Sequence, residues 1–312
     1  GFLEAWKENE HRKPLILQGA RQVGKTYSIL EFGRIHYENV AYFNFETNPK
    51  LNETFEEKIS PDYLIPILSH IAGQTIVKEK TLIVFDEVQL CERALTSLKY
   101  FCEDAPDYHI IVAGSLLGVA VNRAKFSFPV GKVDMKTLYP MDMEEFMIAM
   151  GEDELVEQIK KCFETNRPMP SALHDAAMQL YRQYLVVGGM PECVMQFVQT
   201  GDYILIRHTQ DTILTSYLND MSKYNNLNEI KKTRLAYDNI TVQLSKKNTR
   251  FQYKLIKKGG RASEFENAIE WLCLSGIVSQ VYRVEQIKKP LENYRDIDAF
   301  KIYVSDLGLL CA

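Results

Sequence analysis

Residues 19–26, which read Gly-Ala-Arg-Gln-Val-Gly-Lys-Thr, constrain the fold of this chain more than any other stretch. They have the spacing G-x-x-x-x-G-K-T and directly follow the apolar run 14–17. Two glycines at this spacing let successive N–H groups point into one phosphate-sized concavity, where a helix N-terminus adds its positive dipole. The alternative is an ordinary glycine-containing turn, but the apolar run and the helical spacing of residues 27–32 favour a phosphate-binding loop (P-loop).

Each residue of such a loop has an expected role. We expect Lys25 to reach the β- and γ-phosphates of a nucleoside triphosphate, and the Thr26 hydroxyl to hold Mg²⁺. The predicted nucleotide-binding residues are Gly19, Ala20, Arg21, Gln22, Val23, Gly24, Lys25, Thr26 and Tyr27.

A second run supplies the acidic groups that a P-loop requires. Residues 81–85 are mostly apolar and are followed by Asp86 and Glu87, which is typical of a buried parallel strand that ends at the phosphate edge of a sheet. We predict that Asp86 holds Mg²⁺ through water and that Glu87 orients or deprotonates the attacking water. The alternative is a buried strand with a solvated acidic end, but two carboxylates that alternate in direction favour hydrolysis over binding alone.

The strand predicted at residues 108–113 ends in Gly114 and Ser115. A polar residue at this position can contact the γ-phosphate or the attacking water, so Ser115 is the candidate sensor and a third candidate catalytic residue beside Lys25 and Glu87. The alternative role for Ser115 is a helix N-cap.

Other patterns predict the rest of the first domain. Further strands are expected at residues 40–46 and 133–138. The polar end of the former, Asn44 or Glu46, is a candidate for a place near the nucleotide, and an ordinary strand end is the favoured alternative. Helices are expected at residues 2–6, 51–76 and 93–103, with Pro66 as a break in the second of these.

Composition bounds the class of protein. A chain of 312 residues has room for about two domains, and it contains 46% hydrophobic and 25% charged residues without a run of 18 apolar residues or a signal-like start. We therefore predict a cytoplasmic protein without a membrane partner. The six cysteines form no C-x-x-C pair and the six histidines no H-x-x-x-H pair, so neither a zinc site nor a disulfide framework is indicated.

We predict three regions along the chain. Residues 1–140 form a P-loop domain of α/β class, with a parallel sheet and helices on both faces. Residues 141–225 form a helical region that begins with a capping box at Asp142 and Glu145. Residues 226–312 have the helix and strand order of a winged helix, with Ser263 and Glu266 capping its third helix.

The segment 226–261 is strongly basic. It carries ten lysines and arginines against two acidic residues, a net charge of +8, whereas the rest of the chain carries −12. This imbalance favours an anionic partner, and DNA is the partner that a winged helix would meet at the entrance to its third helix. The candidate DNA-binding residues there are Lys254, Lys257, Lys258 and Arg261. The alternatives are a solvated surface or a winged helix that binds only protein.

With these motifs assembled, the sequence resembles a family of archaeal and bacterial AAA-class P-loop ATPases in which a winged helix and a restriction-endonuclease-like region follow the ATPase domain. The matching stretches are residues 19–26, 85–89, 113–115, 138–141, 188–191, 261–263 and 301–310. The resemblance implies ATP and Mg²⁺ as ligands, with Lys25, Thr26, Asp86 and Glu87 in the roles given above. A homo-oligomer stays an open alternative.

Two departures from this family matter. The family commonly has a Gly-Arg pair before the fifth strand, whereas this chain has Gly131 and Lys132; lysine lacks the bidentate fork of arginine, which argues against a finger-like role. Arg123 is a possible substitute, although a solvated surface arginine is the simpler alternative. The sequence also stops at Ala312, where the nuclease-like core is expected, so we expect that region to be truncated here.

Together these patterns predict a Mg²⁺-dependent ATPase whose nucleotide state changes the conformation of a basic, winged-helix-like domain that could bind DNA. One alternative is a nucleotide-gated switch that binds ATP but turns over negligibly. The other is a regulator of a nuclease-like or defence module.

Overall fold

The computed structural model describes residues 1–114, 128–224, 227–246 and 250–312. The chain divides into two compact units, Gly1–Leu138 and Tyr139–Ala312.

The first unit is built on a parallel five-stranded sheet, as the sequence predicts. Its strands are β1 (Leu15–Gln18), β2 (Asn39–Asn44), β3 (Thr81–Asp86), β4 (His109–Ala113) and β5 (Asp134–Thr137). They lie in the order β2-β3-β4-β1-β5. Because all neighbours pair in parallel, the strands end at one edge, where the loop after β1 lies near the acidic residues at the end of β3.

Helices cover both faces of this sheet. They are α1 (Phe2–Glu8), α2 (Lys25–His36), α3 (Leu51–Glu57), α4 (Pro61–Ala72) and α5 (Glu92–Asp104). Alternation along β3 sends Ile83 and Phe85 into a core with α3, α4 and α5, and sends Leu82 and Val84 into a core with α1 and α2. Asp86 lies two residues after Val84 and therefore points toward the same face of the sheet, which carries α2.

Pro66 does not break the helical region as predicted. It lies inside α4, and the break falls instead between α3 and α4, at residues 58–60. Pro61 at the first position of α4 fits its missing N–H, while the apolar residues Leu64, Ile65 and Leu68 stay buried through the helix. Burial of this face therefore outweighs the hydrogen bond that Pro66 omits.

The second unit begins with helices. They are α6 (Met143–Ala149), α7 (Asp153–Glu164), α8 (Ser171–Val187), α9 (Pro191–Thr200) and α10 (Tyr203–Tyr224). The predicted capping box is present, because the Asp142 side chain accepts from Glu145 N at 2.9 Å and Asp142 N donates to Glu145 Oε2 at 3.0 Å. The long helix α10 buries Ile206, Ile213, Tyr217 and Met221.

Three helices and two strands follow. They are α11 (Leu227–Leu244), α12 (Tyr253–Ile256), α13 (Ala262–Leu274), β6 (Val278–Val284) and β7 (Arg295–Val304), with α14 (Leu307–Cys311) at the end. The two strands pair antiparallel. The predicted Ser263 cap is wrong, because the N-cap is Arg261, two residues earlier, which is extended and makes no side-chain cap bond.

Asp306 joins two helix N-termini within the second unit. Its carboxylate accepts from Gly189 N at 2.6 Å, at the start of α9, and from Leu309 N at 2.8 Å, in α14. A Cβ atom on Gly188 would lie 2.4 Å from Asp306 Oδ1, and one on Gly189 would lie 1.9 Å from Met141 O. The predicted sharp turn at residues 188–191 therefore needs its glycines for the close approach of a carboxylate and a carbonyl.

No helix among the described residues is both long and apolar enough to cross a membrane.

Candidate functional site

The loop between β1 and α2 has the backbone that a phosphate cradle needs. Gly19 and Gly24 have φ values of +146° and +88°, and Gln22 has a φ of +65°, so the chain reverses direction repeatedly within a few residues. A Cβ atom on Gly19 would lie 2.1 Å from Leu138 O. Glycine at this position is therefore required both by backbone conformation and by the neighbouring chain.

Lys25 is the first residue of α2, and its side chain contacts the backbone of the loop. Its ammonium donates to Gly19 O at 2.9 Å and to Ala20 O at 2.7 Å, and the side chain is only 7% exposed. Burial lowers the pKa of Lys25 to about 8, although attraction by Glu87 and Asp86 opposes that shift. A buried ammonium beside two carbonyl oxygens is ready to accept an anion in their place.

Thr26 and Asp86 meet at the same edge of the sheet. Thr26 Oγ1 donates to Asp86 Oδ2 at 2.9 Å, and Asp86 is 4% exposed. A hydroxyl and one carboxylate are the oxygen ligands that Mg²⁺ takes when substrate phosphates and water complete its shell. The Thr26 and Asp86 pair therefore fits Mg²⁺ bound together with a nucleotide. No cluster of three or more His, Cys, Asp or Glu side chains suited to a metal occurs in the part of the chain that the structure describes.

Glu87 follows β3 in a conformation that non-glycine residues rarely adopt. Its φ and ψ are 52° and 40°, in the left-handed region. Gln89 donates from Nε2 to Glu87 Oε2, and Glu87 N donates to Asp86 Oδ1 at 3.0 Å. The two carboxylates therefore diverge through a backbone turn and not through simple strand alternation.

Sequence reasoning missed Tyr42, which lies on the neighbouring strand β2. Its hydroxyl donates to Asp86 Oδ2 at 2.7 Å, and Asn44 Nδ2 donates to that hydroxyl at 3.1 Å. Burial is the main reason that the pKa of Tyr42 is raised, to about 12. Asn44 lies opposite Asp86 in the register, and Tyr42 lies two residues earlier on the same face of β2. The pairing of β2 with β3 is therefore the signal that could have pointed to Tyr42.

Three other residues were weighed for this site in the sequence. Ser115 and Arg123 lie outside the described residues. Lys132 pairs with Glu103 at 2.9 Å and precedes β5, so it lies at the edge where the parallel strands begin, away from the P-loop of its own chain.

The candidate DNA-binding residues surround α12 and the start of α13. Lys254, Lys258 and Arg261 are exposed, and Lys257 pairs with Glu264 at 3.1 Å on the surface. Lys254 also lines a cleft of about 640 Å³. Its wall includes Arg250 and Tyr253, with carboxylates at Glu266 and Asp298, so the cleft itself is of mixed charge.

The strand order, the glycine loop and the acidic end of β3 define a P-loop nucleoside triphosphatase fold in the first unit. Residues 11–147 match a family model described as an AAA domain. The first unit therefore has the P-loop α/β fold, and residues 11–147 are similar to AAA domains. Residues 178–312 match a second family model, described as a domain of unknown function.

Similar solved structures include the Walker-type ATPase of Pyrococcus abyssi, with 14% identity and a TM-score of 0.57 over 99% of this chain and 92% of that one. This likeness shows the fold. The Aeropyrum pernix ORC2 protein has 11% identity and a TM-score of 0.43 over 94% and 83%. The RuvB Holliday junction branch migration motor of Thermotoga maritima has 14% identity and a TM-score of 0.39 over 89% and 85%. No curated protein matches the chain in sequence.

Proposed function

We propose that the protein is a Mg²⁺-dependent ATPase in which water attacks the γ-phosphate in line. The observation that carries this proposal is the hydrogen bond of 2.9 Å between Thr26 Oγ1 and Asp86 Oδ2. It brings the last residue of the P-loop motif and the end of the acidic strand to one point at the edge of the sheet. A nucleotide cradled by the loop would place its terminal phosphates beside that point.

The side chains would divide the work as follows. The ammonium of Lys25 would leave its carbonyl partners, Gly19 O and Ala20 O, and would stabilise negative charge on the phosphates together with the loop N–H groups. Thr26 and Asp86 would hold Mg²⁺, which neutralises charge on the β- and γ-phosphates when bound. Glu87 would orient the attacking water, with Gln89 holding its carboxylate. Ser115, assigned from the sequence alone, would sense the γ-phosphate.

A single-turnover assay of ATP hydrolysis tests this proposal. We expect Glu87→Gln to bind a fluorescent ATP analogue about as well as wild type, but to hydrolyse ATP at least about 100-fold more slowly, because general-base assistance is lost. Glu53→Gln, an exposed residue of α3, is the matched control and should behave as wild type. Equal, slow hydrolysis by wild type and Glu87→Gln would favour a nucleotide-gated switch instead.

We further propose that nucleotide state is coupled to a basic winged-helix module that contacts DNA. Two observations support the DNA contact. The elements α11, α12, α13, β6 and β7 follow one another in the order of a winged helix, and exposed cations lie at the entrance to α13. The surface ion pair between Lys257 and Glu264 is weak enough to exchange for a phosphate contact. A salt titration of DNA binding, designed below, tests this part of the proposal.

A further inference from the structure

The carboxylate of Asp86 is held by more donors than the P-loop motif supplies. Oδ2 accepts from two hydroxyls, Thr26 Oγ1 at 2.9 Å and Tyr42 OH at 2.7 Å, and Oδ1 accepts from Glu87 N at 3.0 Å. Thr26 is expected from the motif. Tyr42 comes from β2, and neither its position nor its residue type belongs to the P-loop or to the acidic strand.

Asn44 fixes the direction of the Tyr42 hydroxyl bond. Asn44 Oδ1 accepts from the backbone N–H groups of Glu46 and Thr47, both at 2.9 Å. The amide orientation is thereby determined, and Nδ2 is left to donate to Tyr42 OH at 3.1 Å. Because that hydroxyl accepts from Asn44, its own proton is directed to Asp86.

We propose that Tyr42 is a positioning residue that fixes the Asp86 carboxylate for Mg²⁺ binding, an inference that rests on the proposed ATPase function. When the Thr26 hydroxyl oxygen turns a lone pair to the metal, Tyr42 still holds Oδ2 from the side of β2. The carboxylate therefore keeps one orientation whether or not a nucleotide is bound. Outer donors of this kind typically change metal affinity by about 10- to 100-fold when removed.

The surroundings of the Tyr42 ring allow the role of the hydroxyl to be tested without a change in packing. The side chain is 38% exposed, and among the residues that the structure describes it forms no aromatic ring pair. Replacement by phenylalanine should therefore remove the hydroxyl and leave the packing of β2 intact. Tyr63→Phe is the matched control, because Tyr63 OH also donates to a carboxylate, Glu57 Oε2, at 2.8 Å in the same unit.

The experiment is a Mg²⁺ titration of binding of N-methylanthraniloyl-ATP (mant-ATP) to the full chain, with a parallel measurement in EDTA. For Tyr42→Phe we expect a half-saturating Mg²⁺ concentration about tenfold above wild type and an affinity in EDTA within about twofold of wild type. Tyr63→Phe should match wild type in both. Thr26→Val is the positive control and should lose most of the Mg²⁺ dependence.

Two results would overturn this inference alone: a Mg²⁺ requirement of Tyr42→Phe within twofold of wild type, or an equal loss of affinity with and without Mg²⁺, which would make the hydroxyl a nucleotide or folding contact. Both require a wild type that binds mant-ATP in the presence of Mg²⁺. A wild type that binds no nucleotide would overturn the ATPase proposal and this inference with it.

Discussion

At the scale of single residues, the sequence predicted that Thr26 and Asp86 meet at one edge of the sheet, but it did not predict the hydrogen bonds that the side chains of the site form. The motif assigns Lys25 to phosphates, yet its ammonium donates to Gly19 O and Ala20 O. The spacing of a motif states which residue types surround a bound ligand. It does not state that a buried ammonium donates to the carbonyl oxygens of its own loop. Tyr42 was missed for a related reason, since its role depends on the pairing of β2 with β3.

The pKa of Lys25 predicts proton uptake on ATP binding. Because that pKa is lowered to about 8 by burial, most molecules carry a neutral Lys25 at pH 8.5, and a bound triphosphate would raise the pKa again. We expect a larger proton uptake per ATP at pH 8.5 than at pH 6.5, where Lys25 is already protonated before ATP binds. Calorimetry in two buffers with different ionisation enthalpies measures this uptake.

The control for that measurement is Lys25→Arg, which keeps the positive charge but stays protonated throughout this range. It should show no uptake at pH 8.5, even if its affinity for ATP falls. Equal uptake by Lys25→Arg and wild type would show that another group titrates.

At the scale of helices and strands, apolar runs predicted the strands of the sheet to within about two residues, because buried parallel strands are nearly continuous in hydrophobicity. Errors arose where tertiary contacts decided. Pro66 stays inside α4 because the helix buries an apolar face, and α13 begins at Ala262 because Arg261 is already extended. Neither outcome is encoded in local spacing alone.

The strand β4 begins with a buried histidine that should make the first unit sensitive to acid. His109 is 4% exposed, and its Nδ1 lies 2.7 Å from Tyr37 OH. Burial lowers the pKa of His109 to about 4, and repulsion by Arg12 and Lys7 acts in the same direction. The unfolded state therefore binds more protons between about pH 6.5 and pH 4, so the free energy of unfolding should fall by about 3 kcal/mol as pH falls through that window.

Urea unfolding followed by Trp6 fluorescence measures this effect in a Trp271→Phe background, where Trp6 is the sole tryptophan. His109→Gln should show a smaller loss of stability from pH 6.5 to pH 4, whatever its stability at neutral pH. Parallel pH curves for the two proteins would exclude His109 as the cause.

At the scale of the whole molecule, charge is distributed unevenly along the chain, and no short motif shows this distribution. The net charge of −4 combines a +8 segment at residues 226–261 with −12 elsewhere. Some of these cations are paired, as in the contacts of Lys232 with Glu229 at 2.9 Å and of Lys257 with Glu264 at 3.1 Å. Sequence counts gave the total, while the structure shows which cations stay exposed near α12 and α13.

The exposed cations predict a salt-dependent affinity for DNA. We expect the triple variant Lys254→Glu, Lys258→Glu and Arg261→Glu to weaken binding to a 30-base-pair duplex and to reduce the slope of log affinity against log salt by about 2 to 3, roughly one unit for each lost phosphate contact. Fluorescence anisotropy between about 50 and 200 mM salt measures both quantities.

A second triple variant controls for net charge. Lys161→Glu, Arg167→Glu and Arg182→Glu change the same number of exposed charges in the second unit, and they should leave the slope near that of wild type. Equal slopes for the two triple variants, or a flat wild-type dependence, would remove DNA contact by this segment from the proposal.

The left-handed backbone at Glu87 predicts that this position lowers the stability of the protein. Its φ of 52° costs a glutamate on the order of 1 kcal/mol, whereas asparagine tolerates this conformation better. Urea unfolding should therefore find Glu87→Asn more stable than Glu87→Gln by about 1 kcal/mol, with both inactive. Selecting this protein for stability alone would therefore favour the loss of the carboxylate to which we assign the activation of water, unless activity were demanded at the same time.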